Sequence, residues 1–414
     1  MPKKYNILLS AYACEPNRGS EQGVGWHWAL EISNRGHNVW VLTRRSNSTE
    51  IESYFEQVKK PDNLHFIYYD VPKWISFWKK GNRGVHLYYL LWQIGIVGIA
   101  SRANKKYKFD FVHHITFVTI HLPSFLFLLK NVSFFYGPCA GGDLVPIRFL
   151  NSFPFRIRLK ELLHYLQNNL LVFDPVRCWM FRNSDLIFCN SPQTLSFLPK
   201  KQLPKTRLNL AIGTSLTNNL AAIKQTQGSF QILFVGMFNY WKGIHLVIKA
   251  FNHISGKIQA QLTLIGKAGD LKNIETIPGY SNDIKCISWM PQDKILEIYR
   301  NYDLMLFPSF RDSGGMVVLE SLANGLPVIC LDYGGPGQIV NNECGRVIDA
   351  ENKSEQDVVS AIADTLIELQ QTPETLKKLK EGAVIRASEY TWEKVVANVY
   401  NEIEEFMSSK KVNL

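Results

Sequence analysis

Two carboxylates, Asp312 and Glu320, flank a pair of glycines, Gly314 and Gly315, within the run PSFRDSGGMVVLESLANGLPVICLDYGGPG from Pro308 to Gly337. The run follows a strand-like stretch, DLMLF, and opens a helical one, MVVLESLAN, that stops at Gly325. Glycines without side chains at a strand-to-helix turn let main-chain N–H groups approach a phosphate closely. Two carboxylates at this spacing could face one cleft. Earlier in the chain, QILFVGMFNYWKGIHLVIKAF carries Lys242 before Gly243, again between a strand and a helix. The plainer readings are an Asp312 that only caps a helix, a solvated Glu320 and a solvated loop lysine. Near the start, AYACEPNRGSEQGVGWHWALEI holds Gly19, Gly23 and Gly25, and further on FDFVHHITF places His113 and His114 at the end of a strand. Glycines followed by Arg44 and Arg45 could suggest a dinucleotide site. They begin nine residues beyond Ser10, however, and no acid ends the strand HNVWVLT, so that reading is set aside.

These residues need strands to carry them. Short β-rich runs alternate with helical stretches: YNILLSAY, HNVWVLTR, LHFIYYDV, DFVHHI, SFFYGPC and DLIFCNS, then QILFVGMF, QLTLIG, IKCISWM, DLMLFPS and PVICLDYGG. That rhythm predicts parallel βαβ units, with ligands at the carboxyl ends of the strands. The polar stretch between Pro204 and Gly228 predicts a domain junction. From residue 390 to 407, Trp392, Val395, Val396, Val399, Tyr400 and Ile403 repeat at helical spacing and require a surface to cover them.

At 414 residues, with 46% hydrophobic and 20% charged, the chain can build two sizeable cores, which disfavours disorder and disulfide scaffolds. Residues 1–200 hold 24 basic and 13 acidic side chains against 22 and 23 in the remainder, so the excess charge of +10 lies in the first half. Such asymmetry points that half towards an acidic partner. Seven scattered cysteines fit a reducing compartment, and neither a Cys/His cluster nor an Asp-x-Asp motif offers a metal site. The apolar start from Ile7 to Ala13 reads as a strand rather than a signal peptide, and residues 85–101 are too short and too interrupted to span a bilayer.

The string Glu320, Ser321, Leu322, Ala323, Asn324, Gly325, Leu326, Pro327, Val328, Ile329 resembles the donor motif of the retaining group 1 glycosyltransferases with the GT-B fold, and the resemblance covers nearly the whole chain. It implies an α/β protein of GT-B architecture, with two Rossmann-like parallel-sheet domains facing a central cleft. The expected division is an acceptor-side domain over 1–210, a nucleotide-sugar domain over 211–388, and a helix over 389–414 that crosses back to the first. By resemblance, Glu320 binds the donor ribose, and the backbone of Gly314, Gly315, Met316 and Val317 holds sugar and diphosphate. Lys242 neutralises the diphosphate, and Gly23 and Gly25 belong to the glycine-rich loop near it. Asp312 stands where the family has a glutamate, one methylene shorter, and Met237 stands where it has an arginine. An ungapped match makes His113 the structural histidine and puts Ile115 at the active-site position, leaving His114 as the nearest catalytic candidate beside Lys242 and Asp312.

The implied activity is retaining, metal-independent hexosyl transfer from a nucleotide-diphosphate sugar, a substrate rather than a cofactor, to a glycan or lipid-linked acceptor in cell-surface polysaccharide or lipopolysaccharide synthesis. A catalytically weak nucleotide-sugar-binding partner protein is the alternative, and an epimerase on the same fold is a further one. The expected location is cytoplasmic, with peripheral contact to an anionic inner membrane face left open. Two basic, aromatic-rich stretches, 73–108 and 154–171, read equally as lipid-facing surfaces or as core helices. No nucleic-acid module accompanies the charge.

Overall fold

The computed structural model describes residues 3–79, 81, 83–216, 228–271, 274–281 and 283–412. Thirteen strands are described: β1 (Asn6–Ser10), β2 (Asn38–Thr43), β3 (Leu64–Tyr68), β4 (Phe111–His114), β5 (Ser133–Cys139), β6 (Leu186–Cys189), β7 (Thr206–Leu208), β8 (Phe230–Val235), β9 (Ala260–Ile265), β10 (Ile284–Ile287), β11 (Leu304–Phe307), β12 (Val328–Leu331) and β13 (Gly345–Ile348). They form two sheets, ordered β3-β2-β1-β4-β5-β6-β7 and β10-β9-β8-β11-β12-β13. Every pairing among these strands is parallel. β4, β6, β11 and β12 are buried along their whole length, as strands covered by helices on both faces must be. The eleven runs picked out by apolar content all form strands. β7 and β13 escaped notice: β7 has three residues inside the tract read as a linker, and β13 is the four-residue run GRVI, both too short for a periodicity to register.

The chain divides into two compact units. The first gathers the described residues of 1–142, 167–212 and 392–414, and the second those of 143–166 and 213–391. Segment 143–166 therefore packs with the second sheet although it comes from the first half of the chain. Its buried aromatics explain why: Phe149 packs against Phe310 at 4.6 Å and Phe153 against Tyr240 at 4.9 Å between ring centroids, both with tilted rings. A single boundary near residue 210 does not capture this exchange. In the first unit the Val85–Tyr107 helix buries Tyr89, Trp92 and Ile96 against Leu8, Val112 and Tyr136, so this part of the 73–108 stretch is core. The Trp392–Val412 helix packs on the Ser20–Asn34 helix, burying Val396, Val399, Tyr400 and Ile403 completely. Among the described residues, no helix is long and apolar enough to cross a membrane.

Candidate functional site

In each sheet the strand order reverses beside the first strand, between β1 and β4 and between β8 and β11. Loops leaving two neighbouring strands in opposite directions open a crevice at that point, and ligands of α/β sheets bind there. In the second unit the loops after β8 and β11 are the ones that carry Lys242 and Asp312.

Backbone closeness brings these two residues together. Gly243 adopts φ +73° just after Lys242, and a Cβ there would lie 2.0 Å from the Pro308 carbonyl oxygen. Only glycine lets the β8 loop lie so tightly on the β11 loop. Lys242 Nζ donates to Asp312 Oδ2, with the two side chains 15% and 17% exposed. Asp312 Oδ1 also accepts the Gly315 N–H at 2.8 Å. Burial pushes the Asp312 carboxyl up, but the Lys242 charge and the N–H groups of Gly315 and Gly314 outweigh it and hold the pKa below the usual carboxylate value. Asp312 is thus an anion at neutral pH, fixed between a cation and a helix start.

Gly315 (φ +74°) is the N-cap of the Met316–Ala323 helix. The half-buried Met316 and Val317 open the first turn, whose N–H groups point out of the helix end. The helix closes with the Gly325 N–H on Leu322 O and the Leu326 N–H on Ser321 O, with Gly325 at φ +72°, as the sequence anticipates. Glu320, on this helix, accepts from Gln292 Nε2 and, at 3.4 Å, from Tyr299 OH. Burial lifts its pKa, while these two hydrogen bonds oppose the rise. The side chain of Met237, in the β8 loop, is 51% exposed.

Segment 143–166 adds residues that no motif revealed. Arg311 donates to both oxygens of the fully buried Glu161 at 3.1 and 3.2 Å and to His164 Nδ1 at 2.7 Å. Ser313 donates to Asp143. Both sides of Asp312 are therefore anchored to a segment about 150 residues away in sequence, a separation that leaves no local pattern. The one available signal was Glu161 standing among apolar and basic residues.

In the first unit two expectations change. Gly23 and Gly25 lie inside the Ser20–Asn34 helix, and a Cβ on them would lie 2.3 Å from Arg18 O and 2.0 Å from Ala13 O. Their lack of a side chain lets the helix pack closely on its own preceding loop. His114 is fully buried, with Nδ1 2.9 Å from Ser10 Oγ and Nε2 2.8 Å from Tyr89 OH. Burial pulls its pKa down to about 3, so it stays neutral, with both ring nitrogens engaged inside the core. His113 is equally buried, holding Gly137 O at 2.8 Å. Among the described residues, no three His, Cys, Asp or Glu side chains gather as metal ligands would.

Residues 217–384 match the family described as glycosyl transferases group 1. The D-inositol 3-phosphate glycosyltransferase of Corynebacterium glutamicum is 26% identical over 193 residues, 44% of this chain and 45% of that protein. The match thus spans less than half the length of that relative. Among solved structures, WaaG, a glycosyltransferase involved in lipopolysaccharide biosynthesis, aligns over 95% of this chain and 98% of its own at 17% identity and a TM-score of 0.56. The Anabaena protein HepE, in complex with UDP and glucose, aligns over 98% and 100% at 15% identity and a TM-score of 0.57. At such identities the structures speak for the fold, which is GT-B.

Proposed function

We propose that this chain, which has the GT-B fold and whose residues 217–384 match the group 1 glycosyl transferases, moves a hexosyl group from a nucleotide-diphosphate sugar to a glycan or lipid-linked acceptor with retention and without a metal ion. The observation that carries this reading is the Lys242–Asp312 pair at the switch point of the second sheet, beside the start of the Met316–Ala323 helix. HepE holds UDP and glucose in its structure, which favours a nucleotide sugar here. Lys242 and the first turn of the helix that opens at Met316 and Val317 stabilise the charge that grows on the diphosphate as its bond to the sugar breaks. Asp312 keeps Lys242 aimed and orients sugar hydroxyls, and Glu320, with Gln292 and Tyr299 behind it, takes the ribose. The acceptor hydroxyl bonds to the anomeric carbon on the face the phosphate leaves, and its proton passes to a phosphate oxygen.

The process is the synthesis of a cell-surface polysaccharide or lipopolysaccharide at the cytoplasmic face of the membrane. The basic first half supports this, as do Trp74 and Phe77, 77% and 79% exposed beside Lys73 and Lys79. The test is to incubate the purified chain with a panel of nucleotide sugars and follow donor hydrolysis and transfer. Lys242→Ala is expected to lower turnover on the order of 10² to 10³-fold. Turnover that survives Lys242→Ala overturns the assignment. Donor binding with neither hydrolysis nor transfer identifies a catalytically weak partner protein instead, the reading that Met237 favours.

A further inference from the structure

The Phe155–Leu170 helix turns its polar side inward and its apolar side to water. At 3.6 residues per turn, Phe155, Leu159, Leu162, Leu163, Leu166 and Leu170 fall within an arc of about 100°. All six are exposed, Phe155 at 76% and Leu163 and Leu166 at 55%. The opposite side carries Glu161, His164, Tyr165 and Asn168, and this is the side that is packed. Glu161 is 0% and Asn168 2% exposed, Tyr165 OH donates to Val145 O at 2.7 Å, and Asn168 Nδ2 donates to Gly141 O at 3.1 Å. An amphipathic helix of a globular protein ordinarily turns its apolar stripe to the core. Here the core side is held by hydrogen bonds and an ion pair, and no described residue covers the stripe.

Charge at the borders of the stripe selects the occupant. Arg156 and Lys160 follow one border, the second half-exposed and 3.7 Å from Asp270 Oδ1, and Arg158 follows the other. The only acid on the helix, Glu161, lies on the packed side against Arg311. A second copy of this chain seated on the stripe by two-fold symmetry would set these cations against themselves. An anionic bilayer meets them with opposite charge, at the height where basic side chains emerge from the acyl region into the headgroups.

We infer that this helix seats the protein on anionic lipid, with the six apolar side chains among the acyl chains and Arg156 and Lys160 among the headgroups. The inference deepens the membrane part of the proposed function and rests on it. It also places the donor loop on the lipid-seated element, since Glu161, on the opposite face of the same helix, holds Arg311 next to Asp312.

The test uses the full chain with vesicles of phosphatidylcholine alone or mixed with phosphatidylglycerol. The protein is expected to sediment only with the anionic vesicles, and less as salt shortens the screening length below about 8 Å. The triple variant Leu159→Ser, Leu163→Ser, Leu166→Ser is expected to lose at least tenfold in binding, while Trp74→Ser with Phe77→Ser loses less. Wild-type protein that ignores both kinds of vesicle overturns the membrane reading and this inference with it. Binding that the triple variant keeps overturns the inference alone. A wild-type dimer that the triple variant turns into a monomer assigns the stripe to a second copy and likewise overturns it. Leu163→Trp reports even where the serine variants fail to fold. Its emission, as the difference from wild type, should move to the blue with anionic vesicles, and an unchanged difference spectrum counts against the helix.

Discussion

Glu320 answers to two opposed demands, one from the fold and one from the ligand. Burial raises its pKa above the ordinary 4.5, so its negative charge is held at a cost. A raised folded-state value adds stability that is fully present below the unfolded pKa and disappears as pH rises through the folded one. At neutral pH the carboxylate therefore burdens the fold while serving the proposed ribose contact. Glu320→Gln should leave the melting temperature at pH 7 unchanged or higher and keep part of the donor affinity. Glu320→Ala should cost about ten- to a hundredfold in affinity, as losing a charged hydrogen bond does. Titration calorimetry and thermal melts at pH 5 and pH 8 check both, and a melting temperature that falls in Glu320→Gln at pH 7 contradicts the burial argument. His114 shows the same physics without a ligand. Its position at the end of a strand is legible in the sequence, whereas Ser10 and Tyr89 closing over both ring nitrogens is not.

A helix can be recognised from its periodicity while its inner face cannot. The stretches 73–108 and 154–171 look alike as sequence, both aromatic or leucine-rich and basic. The Val85–Tyr107 helix buries its aromatics beneath the first sheet, and the Phe155–Leu170 helix exposes its leucines because Glu161 has a cation to meet. Burial raises the Glu161 carboxyl, yet His164 and Arg311 pull it below the usual value, so the pair is ionised at neutral pH. In the proposed function Glu161 acts by positioning, holding Arg311 next to Asp312. Glu161→Ala should raise the donor KM about tenfold with a smaller effect on kcat, and should cost about 1 to 3 kcal/mol of stability, because Arg311, 22% exposed, can still reach water. Glu161→Gln should recover most of the KM by keeping a hydrogen bond to Arg311. Equal losses of kcat in both variants with KM unchanged would contradict the positioning role.

At the scale of the whole molecule the chain crosses between its two units more than once, and the crossings bind residues that no local pattern connects. Tyr400, near the C-terminus, is fully buried in the first unit, where its hydroxyl lies 3.3 Å from His113 Nδ1 and its ring stands near Trp28 and Phe111. Tyr400→Ala should destabilise that unit by about 3 to 5 kcal/mol, the range for emptying a large aromatic site. Tyr400→Phe should cost about 1 kcal/mol. Hydrogen exchange should localise the loss to the first sheet and the Ser20–Asn34 helix, and a loss confined to the second sheet would contradict the placement. Apolar runs and turn glycines by themselves determined the parallel α/β class, eleven strands, the capped helix at Met316 that carries Glu320 and the loops that hold Lys242 and Asp312, because these follow from interactions a few residues long. Tertiary structure alone decided that Lys242 meets Asp312, that Glu161 and Asp143 hold the loop on either side of Asp312, that Gly23 and Gly25 pack against the loop before their helix, that His114 is sealed, and which helix shows its leucines to water. Each of those depends on groups far apart in the chain meeting in one place, where burial and charge pairing are settled by what is opposite rather than by what is adjacent.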